Sequence, residues 1–381
     1  MLSGSRQYAR ALADFARASI PLRYSPATAS CARWSPEHAR AWQETRGWLV
    51  GCNFVPSTAC NQLEMWQPAT FDPITIEREL GWASQLGFNS IRVFLHNLLW
   101  QVEGDVFLER IDSFLSIATE KKLGTIFVIF DGVWDPQPHA GPQHAPIPGV
   151  HNSVWVQSPG AAMISDRSRW SSLKDYLQAV IGRFAHDRRV DAWDLFNEPD
   201  NPNLISYRHT ELPDKRNMVT PLVEACFDWA TEVNPDQPLT AGVWLGVHGA
   251  TERVSSLNRI ILERSDVISF HSYRRRTALL NAFEHLSKYD RPLLCTEWLG
   301  RTLGSTVDLL SDFHRHSVGA YCWGLVDGCT QTRYPWTSWL RPVPPDRNDK
   351  IWFHDLLHAD GRPYDGMETA LIRRICHGDY G

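Results

Sequence analysis

No apolar run in this 381-residue chain approaches the roughly 20 residues that a membrane-spanning helix needs, so a membrane is not among its expected partners. Positive charge is also short. The 38 Lys and Arg face 43 Asp and Glu, a formal net charge of -5, which gives no footprint for nucleic acid. The 8 cysteines include no CxxC and no Cys/His pairing at zinc spacing, and several sit inside strand-like runs as small apolar residues. No GxGxxG or P-loop sequence follows any strand-like run, which counts against a nucleotide-binding open sheet. Of the histidines, "HRH" at 314–316 falls on different faces of an expected helix, and His139, His144 and His151 lack ligand spacing. The reading therefore carries no metal and no cofactor.

Core material, by contrast, is plentiful. With 43% hydrophobic residues and 17 Trp against 10 Tyr, the chain can build one large globular domain or two small ones. Residues 1–45 read as an N-terminal extension rich in Ala, Ser and Arg. Arg6, Arg10, Asp14 and Arg17 interrupt any signal-peptide core there, so residues 3–19 are expected to form an amphipathic helix. The cytoplasm is accordingly favoured over secretion as the compartment.

From residue 46 onward, eight short runs rich in Val, Ile, Leu and Phe recur, at 47–54, 88–95, 124–130, 190–196, 238–244, 266–270, 291–297 and 319–325. Stretches of helical period separate most of them: 74–87, 107–124, 168–187, 219–234, 279–290 and 307–318. Continuous apolar strands between amphipathic helices indicate a parallel sheet covered by helices, and eight such units predict a closed (β/α)8 TIM barrel over 46–381. Two Pro-, Gly- and Trp-bearing segments, 131–164 and 326–350, fall outside the alternation. They follow the third and eighth strands, and so are expected as long loops on the C-terminal face, where barrel enzymes place their chemistry.

Two strands end in carboxylates. "WDLFNEPD" delivers Asn197 and Glu198 and is stopped by Pro199, while "LLCTEW" delivers Glu297. The two glutamates are 99 positions apart, about three βα units, so both are expected to face one cleft across the barrel mouth. A carboxyl that protonates a leaving oxygen and a carboxylate that attacks an anomeric carbon suit glycosidic bond cleavage, with the pair roughly 5 to 5.5 Å apart in a retaining enzyme.

Asn-Glu-Pro at the end of strand four and Glu at the end of strand seven resemble the clan A retaining glycoside hydrolases, and most of all the cellulase-type members of glycoside hydrolase family 5, over roughly residues 46–340. The resemblance implies residue roles. Glu198 would be general acid then base, and Glu297 the nucleophile. Arg92 of "SIRVFL" would hold Glu297 ionised, Tyr273 of "SFHSY" would donate to it, and His271 would line the subsite. Asn197 would bind the sugar 2-hydroxyl, and Trp323 of "YCWG" would be the floor under the sugar. The pattern departs from the family where strand three ends in Asp131 instead of a histidine, and where "FLHN" puts His96 and Asn97 just after strand two; these three are candidate subsite residues. Trp134, Trp244, Trp298, Trp336 and Trp339 are candidate sugar-stacking surfaces at strand ends and loops. "RRR" at 274–276 reads as a solvated charge run.

The resulting expectation is a retaining β-glycosidase acting on oligo- or polysaccharides. Its two long loops would close one end of the groove and favour exo-action. The same residues would serve a transglycosidase; a silent carbohydrate-binding barrel would keep the tryptophans but lose a carboxylate, and a metal-dependent hydrolase would need His and Asp at several strand ends.

Overall fold

Each strand-like run becomes a strand buried on both faces, which is why none of them alternates apolar with polar residues. The computed structural model describes residues 33–247, 254–344 and 352–378. Its strands are β1 (Val50–Asn53), β2 (Ser90–Phe94), β3 (Gly124–Asp131), β4 (Val190–Asn197), β5 (Leu239–Thr240), β6 (Ile268–His271), β7 (Leu293–Trp298) and β8 (Gly319–Trp323). They pair in parallel in the order β5-β4-β3-β2-β1-β8-β7-β6. A parallel bridge between Val243 and Phe270 spans the remaining seam, with His271 N donating to Val243 O at 2.9 Å. The architecture is the expected (β/α)8 barrel.

The helices form where capping and periodicity agree. In Pro73–Gln85, Asp72 caps by accepting from Thr75 N, Pro73 opens the first turn, and Ile76, Leu80 and Ala83 bury one stripe. Asp105–Glu120 has no side-chain cap but buries a similar stripe, with Phe107, Ile111, Phe114, Leu115 and Ala118 inward. Each fully buried side chain of this size contributes ~1.5–3 kcal/mol, so a charge at Leu80 or Phe114 would strip its helix from the sheet.

Three features of the barrel differ from the sequence reading. The fifth strand, expected over 238–244, keeps strand pairing to β4 only at Leu239 and Thr240. Beyond it the chain turns to β6 past Gly242, where a Cβ would sit 3.1 Å from His271 Nε2. The helix Ser256–Arg264 is additional to the expected ones, because the apolar cluster Leu257, Ile260, Ile261 and Leu262 lies in a nine-residue segment too short to show a period. The eighth helix, Gly366–Cys376, comes only after the long excursion that follows β8. The helix expected at 3–19 lies outside the described residues. Within the N-terminal extension, the described helix Pro36–Arg46 lies at the N-terminal ends of the strands, with Arg46 Nη1 2.8 Å from Asp191 Oδ1. No helix among the described residues is long and apolar enough to cross a membrane.

Candidate active site

The C-terminal strand ends converge on one buried polar cluster. Arg92 on β2 is fully buried and its guanidinium is saturated by neighbouring strands. Nε and Nη2 donate to Asp194 Oδ2 at 3.0 and 2.8 Å; Nη1 donates to Asn53 Oδ1 at 2.8 Å and to Glu297 Oε1 at 3.0 Å; Nη2 also reaches Asn197 Oδ1 at 2.6 Å. Planar, fixed donors of this kind are what arginine supplies and lysine does not. Asp194 is the unforeseen partner, a carboxylate inside an apolar strand that neutralises a charge otherwise costly to bury.

Glu297 reaches the mouth through an irregularity. The β7 register shifts against both neighbours around Thr296, between Phe270 and His271 on β6 and between Cys295 and Trp298 on the β8 side. Bulges of this type re-aim side chains beside active sites. The carboxylate then receives Tyr273 Oη at 2.9 Å. Glu198 sits at the turn after β4 with φ of 39°, a left-handed conformation unusual for a residue with a side chain. Its Oε1 lies 2.6 Å from His271 Nδ1, and its Oε2 accepts from Asn201 Nδ2 at 2.6 Å. His271 Nδ1 is also 3.5 Å from Glu297 Oε2. The ligating atoms of Glu198, His271 and Glu297 all fall within 4.8 Å of one another.

Burial governs the charges. It pushes the Glu198 carboxyl up to about 7 against the pull of the Asn201 hydrogen bond. It pushes Glu297 up to about 7 as well, with Glu198 adding to the rise while His271, Arg92 and Tyr273 oppose it. Arg92 and Tyr273 thus act on Glu297 in the expected direction, but burial outweighs them. His271 is driven by burial down to about 4 and is neutral near pH 7. Two carboxyls this close titrate as a pair. The guanidinium contacts Glu297 and not Glu198, so Glu297 is the member that ionises first.

Among the described residues, the group whose spacing could hold a metal ion is this same Glu198, His271 and Glu297 trio. A cation there would face the Arg92 guanidinium bonded to Glu297, which disfavours it electrostatically.

The remaining predicted residues divide. Asp131 lies beside the cluster, but its oxygens are taken: Oδ1 accepts from Asn197 Nδ2 at 2.9 Å and Val133 N at 3.1 Å, and Oδ2 from Trp155 Nε1 at 2.6 Å. Burial raises its carboxyl to about 7. Trp323 is at the mouth, edge-on to Phe94 and Trp155 at 5.7 and 5.9 Å. Trp134 stacks on Trp339 at 5.6 Å, and Trp336 meets Tyr273 edge-on at 4.9 Å. Trp244 spends its indole N–H on Asp200 Oδ1 at 2.8 Å.

Three candidates are corrected. His96 caps the helix Asn97–Glu103 through Nδ1 and meets Gln157 O through Nε2 at 3.0 Å. Asn97 is buried, its Oδ1 accepting from Ser158 Oγ at 3.0 Å. Both therefore fasten the segment after β3 to the rim rather than face the cluster. Trp298 points the other way. The residue after Glu297 on β7 turns to the helix layer, where it packs on Phe313 at 5.1 Å. Trp155, Asn201 and Asp194 join the site without a place in the sequence reading. The first two stand in loops without periodicity; the third carries a signal, a charge inside a buried run.

No family profile matches the chain, and no curated protein sequence matches it significantly. Solved structures do resemble it in fold. A GH5_18 variant from Streptomyces cattleya in complex with Manb1-4GlcNAc is 14% identical, with 86% of this chain and 81% of that chain covered at a TM-score of 0.55. The exo-beta-1,4-mannosidase Op5Man5 from Opitutaceae bacterium strain TAV5 is 17% identical, with 87% and 60% covered at 0.58. The beta-1,4-mannanase of the sea hare Aplysia kurodai is 17% identical, with 72% and 87% covered at 0.51. At such identities the likeness is one of fold.

Proposed function

We propose that the chain is a retaining β-glycosidase of the family 5 type, with Glu198 as acid and then base and Glu297 as nucleophile. The observation that carries this reading is the pair of buried carboxyls from β4 and β7, with ligating oxygens within 4.8 Å, near the separation a retaining mechanism uses and too close for an intervening water. Glu297, ionised beside Arg92, attacks the anomeric carbon while Glu198 gives its proton to the leaving oxygen, and the glycosidic C–O bond breaks. A water then attacks the anomeric carbon of the glycosyl-enzyme, Glu198 takes its proton, and Glu297 is released. His271 Nδ1 stands between the two carboxyls, 2.6 Å from Glu198 Oε1 and 3.5 Å from Glu297 Oε2.

The substrate class proposed first is the terminal β-mannoside, because structures of this fold include one holding Manb1-4GlcNAc and an exo-beta-1,4-mannosidase. Exo-action is supported by the way the two long segments join. Gly149 N donates to Gln331 Oε1 at 2.9 Å, Val343 N to Gly149 O at 3.0 Å, and Trp339 Nε1 to His151 O at 2.7 Å. These bonds tie the loop after β3 to the loop after β8, an arrangement that would close one end of the groove. Assay on 4-nitrophenyl β-mannoside, glucoside, xyloside and galactoside tests the reading. Turnover of the mannoside that disappears in Glu297→Gln supports it; turnover that survives Glu297→Gln, or that a chelator abolishes, overturns it.

A further inference from the structure

Trp323 lines a small cavity of about 20 Å³ together with Asn152, Trp155, Thr330, Thr332 and Asp355, room for one water-sized group. Asn152 is fully buried, yet neither its Oδ1 nor its Nδ2 has a hydrogen-bond partner among the described residues. Proteins leave few buried amides in that state. The side chain is not free to leave, because the Asn152 backbone is held at both ends: N donates to Thr330 O at 2.9 Å and O accepts from Trp155 N at 3.2 Å. Its φ of 46° is one that asparagine tolerates better than most residues.

The one carboxyl on the cavity wall is itself hydrogen-bonded. Thr332 Oγ1 lies 2.9 and 2.8 Å from the two Asp355 carboxyl oxygens, and burial pushes that carboxyl well above its ordinary range. A neutral donor-acceptor group suits such a wall better than an ammonium or a carboxylate. The cavity also adjoins the reacting centre on two sides. Trp155 is bonded to Asp131 and through it to Asn197, and Trp323 ends the strand next to Glu297.

We propose that this cavity reads one hydroxyl-bearing arm of the terminal sugar, with the Asn152 amide as its recognition group. The inference rests on the glycosidase reading and deepens it: a pocket for a single hydroxyl admits an arm of the sugar but no further ring, so a 4-hydroxyl read there marks a non-reducing end, whereas a 6-hydroxyl read there marks the sugar without its place in the chain.

The test uses the full chain and Asn152→Gly, which accepts the positive φ and removes the amide, with Asn152→Asp as a second variant that keeps the acceptors and loses the donors. Turnover is measured on 4-nitrophenyl β-mannoside and its 4-deoxy and 6-deoxy analogues, and binding of the corresponding methyl glycosides by tryptophan fluorescence. Asn152→Gly is expected to lower kcat/KM on the parent tenfold or more while leaving one deoxy analogue within twofold of wild type, with binding following the same order. Equal losses on all three, or a lowered melting temperature with unchanged discrimination, would mean that the amide serves only an ordered water and would overturn the inference while the glycosidase reading stands. Discrimination in binding without turnover of any glycoside would overturn the catalytic reading and keep the pocket. Neither binding nor turnover would overturn both.

Discussion

Glu198 and Glu297 begin as chemically identical side chains, and what separates them is a guanidinium on one and an amide on the other. Tyr273→Phe removes a donor that favours the ionised Glu297, so the acidic limb of the pH–activity profile should move to higher pH; an unmoved limb would make Tyr273 structural. Asn201→Ala does the same to Glu198, and here the basic limb should rise, because the acid holds its proton longer. Removing Glu198 altogether, as Ala, should spare an activated aryl glycoside far more than an oligosaccharide, whose leaving oxygen needs the proton; equal losses would refute the division of roles. Stability carries the same signature. The Glu198 carboxyl titrates near 4.5 when unfolded and about 7 when buried, so its contribution is fully present below pH 4.5 and is lost as pH rises through 7. Glu198→Gln has no proton to lose and should be more stable than wild type at pH 8, by up to ~3 kcal/mol, and little different at pH 4. Of these residues, the two glutamates are legible in the sequence because strand ends aim them, and Arg92, Asn197, His271 and Tyr273 because the motifs around them resemble a known pattern. Asn201 and Trp155 are not, since nothing in a loop's sequence says which way a side chain turns.

At the scale of elements, the segments after β3 and β4 are locked together from below. Lys215 Nζ, buried, donates to Gly132 O at 2.6 Å, Asn201 O at 3.0 Å and Glu211 Oε2 at 2.7 Å. Glu211 Oε2 also accepts from Gln157 and Asn203. This pair holds the backbone of Asn201, and so the amide on Glu198. Glu211→Ala leaves a buried ammonium unpaired and should cost ~3–5 kcal/mol, whereas a Lys215→Met, Glu211→Leu double replacement should cost much less; urea unfolding of the three proteins decides it. An equal cost for single and double changes would show that the hydrogen bonds, not the charge, matter. Helices and strands are legible where the period runs long enough, as in Pro73–Gln85 and Asp105–Glu120. The extent of β5 is not, because its apolar run continues after its pairing stops, nor is the direction of Trp298, because the bulge at Thr296 rotates the strand end beyond it. Such register shifts leave no mark in a pattern of apolar residues.

Taken whole, the molecule is a barrel whose two long loops, after β3 and after β8, are bonded to each other at the mouth. Trp134 stacks on Trp339 across the join, and Tyr207 meets Trp339 edge-on at 5.2 Å. The proposed exo-action predicts that the viscosity of a soluble β-mannan falls slowly relative to the release of reducing sugar; an early collapse would show internal cleavage and an open groove. Trp339→Ala, which removes the stack, should raise internal cleavage relative to terminal release. The central claim, a glycosyl-enzyme formed on Glu297, is tested most directly by trapping it. Incubation with 2-deoxy-2-fluoro-β-mannosyl fluoride, followed by mass spectrometry of the digested protein, should place one fluorosugar on the peptide that carries Glu297, with none on the Glu297→Gln protein. A label on Glu198, or no label while the enzyme still turns over aryl mannoside, would contradict the account.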